Sequence, residues 1–216
     1  KYENAPAMQV SNEYYVRNML DENELRKAIK IIKPNYIVPE VESIAVNVLT
    51  EAEKENITVI PNSKAVKITM NRELIRRVAA ETLQLKTSQY LFANNKNELI
   101  KSVNTIGLPC IIKPIMSSSG KGQSFIKNIS EIDYAWDKAQ NKGRAGKGKV
   151  IVEEVIGFDY ELTLLTVRYK NGIQFCQPIG HRQIDGDYIE SWQPHPCNET
   201  VIKKCELIAG KIVEEL

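Results

Sequence analysis

The sequence of 216 residues lacks several features that mark special classes of protein. No apolar run approaches the roughly 20 residues needed to span a bilayer, and no signal-peptide pattern opens the chain. The four cysteines form no CxxC pair, so nothing indicates a disulfide framework or a zinc site. A net charge of only +2 provides no strong field to attract nucleic acid or a membrane surface. We therefore expect a cytoplasmic protein that binds neither nucleic acid nor membrane.

The first 70 residues alternate between strand-like and helix-like segments. Strands are predicted over 14–20, 35–40 and 57–61. Asp21 is predicted to cap a helix with an apolar face, and a second helix follows over 44–52. Strands that alternate with crossover helices are typical of a parallel sheet.

After residue 70 the pattern changes to that of an α+β domain, so we place a domain boundary there and predict domains 1–70 and 71–216. A hairpin is predicted over 111–126, and Ser130 with Asp133 indicates the start of a helix. The remaining predicted elements are helices near 63–70, 72–84, 95–106 and 201–216, a strand at 90–93, two strands within 150–169 and one within 172–180. The fold class expected is α/β.

The hairpin loop has the residue types of a phosphate-binding loop. Its sequence, "IIKPIMSSSGKGQSFI", is neither a Walker A loop, because position 115 is isoleucine, nor a dinucleotide fingerprint, because Gly120 has phenylalanine five residues on. Glycine lets the backbone approach a ligand and present N–H groups, while Lys113 supplies a fixed cation and Lys121 a mobile one. On spacing alone, a glycine-rich turn with incidental lysines explains the segment equally well.

The segment "VIVEEVIGFDYE", residues 150–161, could form the adenine slot of a nucleotide site. It combines an apolar strand with Glu153 and Glu154, and it adds Glu161 a short turn later. A ribose needs such a carboxylate for its hydroxyl groups. Taken without the hairpin, two half-exposed strands with solvated glutamates are the simpler interpretation.

Together the two segments resemble the ATP-grasp superfamily, and within it the enzymes that formylate glycinamide ribonucleotide with formate and ATP. The resemblance runs the length of the chain. It rests on these motifs: "APAM", "KPNYIVPEVESIA", "TMNRELIRRVAAE", "PCIIKPIMSSSGKGQSFI", "GRAGKGKVIVEEVI", "FDYELTLLTV" and "GHRQIDGDYIESWQP".

The resemblance implies roles for individual residues. Arg72 and Lys113 match contacts to the nucleotide phosphates, Glu161 matches the ribose carboxylate, and Glu40 matches a contact to the ribonucleotide substrate. A flexible loop over the phosphates is matched by Ser118, Ser119, Gly120, Lys121, Gly122 and Gln123. The adenine hinge is matched by Glu153, Glu154, Val155 and Ile156. Lys113 and Lys121 are the residues expected to act in catalysis.

The resemblance also implies the reaction and its ligands. Formate would attack the γ-phosphate of ATP to give formyl phosphate, and the substrate amine would then take the formyl group in purine biosynthesis. Mg²⁺ and a homodimer are expected from the family. The first glycine-rich β-α turn of the family is absent from this sequence, and so is everything after the helix ending at Leu216. We therefore expect a central fragment, a partial parallel-sheet domain followed by an incomplete ATP-grasp domain, inactive alone, with its metal ligands beyond Leu216.

Two alternatives stay open. One is another ATP-grasp carboxylate–amine ligase or carboxylase, such as the aminoimidazole ribonucleotide carboxylase, and the other is a non-catalytic nucleotide-binding module. Within residues 181–196, His181 and Arg182 could face the formyl phosphate, and Asp185, Asp187 and Glu190 could suggest a metal site. A polar hairpin loop with a packed Trp192 is the interpretation we favour, because the spacing fits no metal pattern. The basic run "KGRAGKGK" is interpreted as a solvated loop.

Overall fold

The computed structural model describes residues 3–41, 44–116, 120–142, 148–184 and 187–216. The chain divides into two compact units, Lys1–Met70 and Asn71–Leu216. Met70, the last residue of the first unit, is also where the sequence places a boundary. No helix within the described ranges has both the length and the apolar character required to cross a bilayer.

The first unit is a small parallel β-α-β arrangement. Its strands are β1, Tyr36–Ile37, and β2, Thr58–Val59, which pair in parallel. Its helices are α1, Glu22–Ile32, α2, Val46–Lys54, and α3, Ser63–Thr69, preceded by a 3-10 turn at Pro6–Gln9. The predicted parallel pairing and the predicted helices are confirmed, although each strand is short.

Local signals account for the helices of this unit. The Asp21 carboxylate accepts hydrogen bonds from the N–H groups of Asn23 and Glu24, which satisfies donors at the start of α1. A buried cluster lies beneath α2 and α3: Ile44, Leu49, Ala52, Val59 and Val66.

The strand predicted over 14–20 does not form. Residues 14–18 have no ladder partner among the described residues, and the Tyr14 side chain is largely exposed. The Asn18 N–H donates instead to the Glu24 carboxylate, 2.8 Å away. Strand-forming residues such as Tyr14, Tyr15 and Val16 were insufficient here because a strand also needs a neighbour for its backbone groups.

The second unit is built on a four-stranded antiparallel sheet. Its strands are β3, Tyr90–Ala93, β4, Cys110–Pro114, β5, Ser124–Ile126, and β6, Val150–Glu154, in the order β3-β6-β4-β5. Helices α5, Lys96–Ile106, and α6, Ile132–Lys142, pack against it. Between them lies the main core: Ala93, Leu99, Val103, Cys110, Ile112, Ile126, Ile132, Ala135, Ala139, Val150 and Val152.

Two predicted features of this sheet region are wrong in detail. The helix predicted over 72–84 is α4, Arg72–Arg77, which passes into a π-helical turn at Val78–Thr82. The start of α6 is a 3-10 turn at Ile129–Glu131 rather than a cap by Ser130 and Asp133. The Glu131 carboxylate accepts from the Lys127 N–H, and this contact closes the turn.

Residues 155–216 form hairpins and a long helix. The elements are β7, Leu162–Thr163, β8, Thr166–Tyr169, β9, Gly172–Phe175, β10, Ile179–Ile184, β11, Asp187–Trp192, and α7, Glu199–Glu215. Strands β11-β10-β7 form one sheet and β8-β9 another. Two strands were predicted within 150–169 and one within 172–180, but the structure has more, because irregular residues at 164–165 and 176–178 interrupt the apolar runs.

Candidate functional site

The β4 strand places Lys113 on the face opposite the core. Burial alternates along the strand, with Cys110, Ile112 and Pro114 buried and the residues between them partly exposed. The Lys113 ammonium Nζ lies 2.7 Å from Oε2 of Glu153 on the neighbouring strand β6. Glu153 is opposite Ile111 in the register, so its side chain and that of Lys113 share one face.

Helix α4 carries two arginines to the same place. Asn71 begins the helix by accepting from the N–H groups of Glu73 and Leu74. The Arg72 guanidinium donates to the carbonyl oxygen of Pro114 at 2.6 Å, and the Arg72 N–H donates to the Ile115 carbonyl at 3.0 Å. Arg72 is therefore fixed against the end of β4.

One helical turn later, Arg76 forms an ion pair with Oε1 of Glu153 and donates to the Ser88 hydroxyl at 3.2 Å. The sequence analysis did not identify Arg76 or Ser88 as site residues. The spacing of Arg72 and Arg76 could have suggested the first, because residues four apart share a helix face.

This arrangement is suited to binding an anion. Three cationic side chains lie near the Glu153 carboxylate: Lys113 and Arg76 form ion pairs with it, and Arg72 is close enough to interact with its charge. Burial lowers the pKa of the Arg72 guanidinium, and the nearby Glu153 carboxylate opposes that effect. Guanidinium groups stay protonated at neutral pH even when their pKa is lowered, so the cluster keeps excess positive charge. Phosphate oxygens are natural partners for such donors.

Part of the predicted phosphate loop is described. Gly120 and Gly122 have φ values of 66° and 77°, the left-handed region that glycine adopts most easily. The Gln123 N–H donates to the Gly120 carbonyl at 3.0 Å, which closes a turn, and the Lys121 side chain is exposed. Ser118 and Ser119 lie outside the described residues. The covering role of this loop stays a prediction.

The four predicted hinge residues have different environments. The Glu153 side chain is buried in the cation cluster, while Glu154 accepts from the Gln89 N–H at 2.7 Å and donates its own N–H to the Gln89 carbonyl at 3.0 Å. Val155 and Ile156 follow the end of β6 and are exposed. Backbone groups of these last two residues are therefore outside the ladder and suited to an adenine edge.

Glu161, the predicted ribose carboxylate, contacts two residues of β10. Its Oε1 lies 2.8 Å from His181 Nε2 and accepts from Gln183 Nε2 at 3.2 Å. The pairing of Gly180 with Leu162 brings His181 opposite Glu161, and His181 is buried. The predicted hairpin in this region is confirmed. Trp192 is 40% exposed, its ring lies against Gly180, and its indole N–H donates to His195 Nδ1.

Glu40 belongs to the first unit, where it is exposed three residues after β1 ends. The carboxyl edge of a parallel pair is a common place for ligands. Its predicted contact with the ribonucleotide stays a prediction.

Comparison with known proteins places these residues in context. A profile of the ATP-grasp domain matches residues 78–216. The whole chain is 56% identical over 216 residues to the formate-dependent phosphoribosylglycinamide formyltransferase of Hydrogenovibrio crunogenus, and it spans 55% of that protein. The chain thus spans about half the length of the curated relatives it matches.

Solved structures that share this fold include the following two. The structure titled glycinamide-RNase-transformylase T from Mycobacterium tuberculosis aligns with a TM-score of 0.78 at 29% identity, over 99% of this chain and 57% of that one. Carboxyaminoimidazole ribonucleotide synthase from Aspergillus clavatus, complexed with ATP, aligns with a TM-score of 0.87 at 17% identity, over 98% of this chain and 55% of that one. At that identity the second likeness shows the fold alone.

Proposed function

The chain belongs to the ATP-grasp family, and from that membership we propose that the protein containing it transfers formate to glycinamide ribonucleotide with the use of ATP. The observation that carries the proposal is identity of 52–56% over all 216 residues to relatives named for this reaction. The chain spans 55% of those relatives, so the activity, substrates and partners are proposed for the intact protein. The cation cluster around Lys113 supports the phosphate half of the proposal.

In this function the phosphates of ATP lie against Arg72 and Lys113. Both side chains are held by neighbours, Arg72 by the Pro114 carbonyl and Lys113 by Glu153. Fixed donors suit catalysis because they need not reorganise as charge moves during the reaction. The loop that includes Lys121 would cover the phosphates, and Glu161 would hold the ribose.

The chemistry requires two anions to meet. A formate oxygen forms a bond to the γ-phosphorus, the bond to the bridging oxygen of ADP breaks, and formyl phosphate results. The amine of glycinamide ribonucleotide then attacks the formyl carbon, phosphate leaves with the electron pair of the broken bond, and the nitrogen loses a proton to the released phosphate or to water. Cations that screen the γ-phosphate lower the repulsion in the first step. A closing loop that excludes water protects the acyl phosphate before the second.

ATP-grasp enzymes generally use Mg²⁺, but the described ranges contain no group of three or more histidine, cysteine, aspartate or glutamate side chains that could hold a metal ion. These residues alone do not fit a magnesium site, and no step above is assigned to the ion. Metal ligands beyond Leu216, a homodimer and a cytoplasmic location remain part of the proposal. So does the substrate contact of Glu40.

The reaction can be tested with the intact protein, ATP and glycinamide ribonucleotide. ADP release should rise when formate is added and should not respond to bicarbonate. Stimulation by bicarbonate instead would favour an ATP-grasp carboxylase. Binding of ATP with no turnover in either case would favour the non-catalytic module.

The site assignment has its own test in Lys113→Met. Loss of a charge-assisted contact should weaken ATP binding by about 10- to 100-fold, measured by calorimetric titration. Lys101→Met, on the exposed face of α5, is a matched control that should bind ATP as the unchanged protein does. Equal ATP affinity in the two variants would overturn the phosphate role of Lys113.

A further inference from the structure

The Glu153 carboxylate occupies an unusual position for a residue of a base-binding hinge. Its side chain is only 5% exposed, and each of its two oxygens contacts a different cation. Oε2 lies 2.7 Å from the Lys113 ammonium, and Oε1 pairs with the Arg76 guanidinium. The Ser88 hydroxyl, 3.5 Å from Oε1, adds a polar neighbour.

A carboxylate buried to this degree is retained only when its charge is compensated. Here the compensation comes from two side chains on separate elements, Lys113 on β4 and Arg76 on α4. Glu153 therefore joins the strand that carries the phosphate lysine to the helix that carries Arg72. The neighbouring Glu154 differs, because its side chain accepts from the Gln89 backbone.

Lys113 and Arg76 each use only part of their N–H donors to bind Glu153, which leaves other donors for a ligand. A lysine ammonium has three N–H donors and an arginine guanidinium has five. Glu153 takes one donor of Lys113 and at least one of Arg76, so both cations retain donors for other partners. The carboxylate oxygens, in contrast, are surrounded by cations and shielded from solvent. Their position makes them poor acceptors for an adenine amino group.

We propose that Glu153 is the positioning residue of the phosphate site: its carboxylate holds Lys113 and Arg76 side by side so that their other donors meet the nucleotide phosphates, and it does not contact the base. This inference rests on the proposed nucleotide site. Only the backbone of Glu153 then belongs to the hinge, which continues through the exposed Val155 and Ile156.

The test compares ATP with adenosine in the intact protein carrying Glu153→Gln. Glutamine has one carbonyl oxygen, so it can serve only one of the two cations, and Lys113 loses its fixed position. ATP affinity should fall at least about tenfold, because a charge-assisted contact is lost, while adenosine affinity should change less than about twofold. Glu199→Gln, which removes an exposed carboxylate paired with Lys203 outside the site, is the control and should leave both affinities unchanged.

A double variant protects the test against a failure of folding. Glu153→Gln alone leaves a buried cation without a carboxylate, whereas Glu153→Gln with Lys113→Met leaves one amide oxygen for Arg76. The double variant should fold and should bind ATP with the same affinity as Lys113→Met alone. In that background the lysine is already absent and the amide oxygen of the glutamine still serves Arg76, so replacement of the glutamate adds no further loss.

Three results would overturn the inference. An equal loss of ATP and adenosine affinity would mean that Glu153 contacts the base or only maintains the fold. Tighter ATP binding by Glu153→Gln would mean that its negative charge merely opposes the phosphates. A further loss in the double variant, relative to Lys113→Met, would mean that Glu153 acts by another route. Failure of the unchanged protein to bind ATP would instead overturn the proposed function itself, and with it this inference.

Discussion

Among the described residues of the second unit, every buried apolar side chain except Pro178 lies between Ala93 and Val152, whereas residues 155–216 contribute many exposed ones. Among the described residues of that later region, only Pro178, Gly180 and His181 are buried. Its large exposed apolar side chains are Val155, Ile156, Phe158, Tyr160, Leu165, Val167, Tyr169, Ile184, Ile189, Trp192, Leu207 and Ile208. We call residues 71–154 the core region and residues 155–216 the hairpin region.

The candidate site draws on both regions. The cation cluster of Arg72, Arg76, Lys113 and Glu153 lies in the core region, where strands packed on α5 and α6 hold it. Glu161, the predicted ribose carboxylate, lies in the hairpin region and depends on contacts between short strands. The phosphate half of the site should therefore be the more rigid half, because its supporting residues are buried on the other face of the sheet.

Cysteine reactivity should separate the two regions most strongly. Cys110 is buried in the core region, and burial raises its pKa to about 11. Cys176 in the hairpin region is exposed. At pH 8 only about one Cys110 thiol in a thousand is ionised, and access to it also requires the sheet to open. We expect iodoacetamide to modify Cys176 at least about 1000-fold faster than Cys110.

Mass spectrometry of peptides after timed labelling measures both rates. The substitutions Cys197→Ser and Cys205→Ser remove the two partly exposed thiols, so that only Cys110 and Cys176 can be labelled. Similar rates at Cys110 and Cys176 would show that the core region opens as readily as the hairpins. The two regions would then not differ in the free energy needed to open them.

Truncation of one leucine in each region compares how much the two regions contribute to the free energy of unfolding. Leu99 is fully buried on α5, while Leu207 on α7 is 61% exposed. Leu99→Ala leaves a cavity and should reduce the free energy of unfolding by about 2–5 kcal/mol. Leu207→Ala should change it by no more than about 0.5 kcal/mol.

Urea denaturation followed by circular dichroism gives both values. A loss at Leu207 as large as that at Leu99 would mean that α7 is covered in solution by a surface not described here. That result would make the hairpin region a second buried layer.

The parts that could be predicted from sequence are those with local causes. Asp21 with Leu25 and Ala28, four and seven residues on, indicated α1, and the glycine-rich segment between two apolar runs indicated the hairpin over 111–126. The segment 14–20 has residue types that favour a strand but no partner strand among the described residues, and nothing in its own sequence reveals that lack. Position 78 likewise gives no local sign that α4 passes into a π-helical turn.

The contacts that organise the site were not predictable in the same way. Arg76 and Glu153 are separated by 77 residues, and their pairing depends on how α4 lies against β6. His181 meets Glu161 only because β10 pairs with β7 in one register. The resemblance implied roles for Lys113, Glu153 and Glu161, but it did not predict that the Glu153 carboxylate contacts the lysine.

Removal of one ion-paired glutamate from each region should give a smaller difference in the free energy of unfolding than truncation of the two leucines gives. The Lys149 ammonium, and then the Arg77 guanidinium, hold the pKa of Glu73 below its ordinary value of 4.5. A depressed carboxylate pKa stabilises the fold above the unfolded pKa, and that stability is lost as the pH falls through the folded pKa. Glu73→Gln should therefore cost about 1 kcal/mol at pH 7 and progressively less below about pH 4.5.

The hairpin region offers a matched control in Glu199, whose pair with Lys203 is exposed on both sides. Glu199→Gln should cost no more than about 0.5 kcal/mol at pH 7. Unfolding of the two variants at pH 7 and pH 4 checks the sign. A cost for Glu73→Gln that grows on acidification would contradict the assignment of its carboxylate as the stabilising charged form.

The smallest effect is expected at the end of α7, where the hairpin region depends on a surface contact. The Arg168 guanidinium on β8 donates to the Val213 carbonyl at 3.0 Å and so serves an acceptor in the last turn of the helix. A cation there also favours the negative end of the helix dipole. Arg168→Ala should cost about 0.5 kcal/mol and should speed amide exchange in the last turn of α7 more than in its first. Arg168→Lys keeps the charge but loses the planar fork, so an intermediate exchange rate is expected from it. Exchange that rises equally along all of α7 would mean that Arg168 holds the whole helix on the β8-β9 hairpin, and the hairpin region would then be more cooperative than its exposed surface suggests.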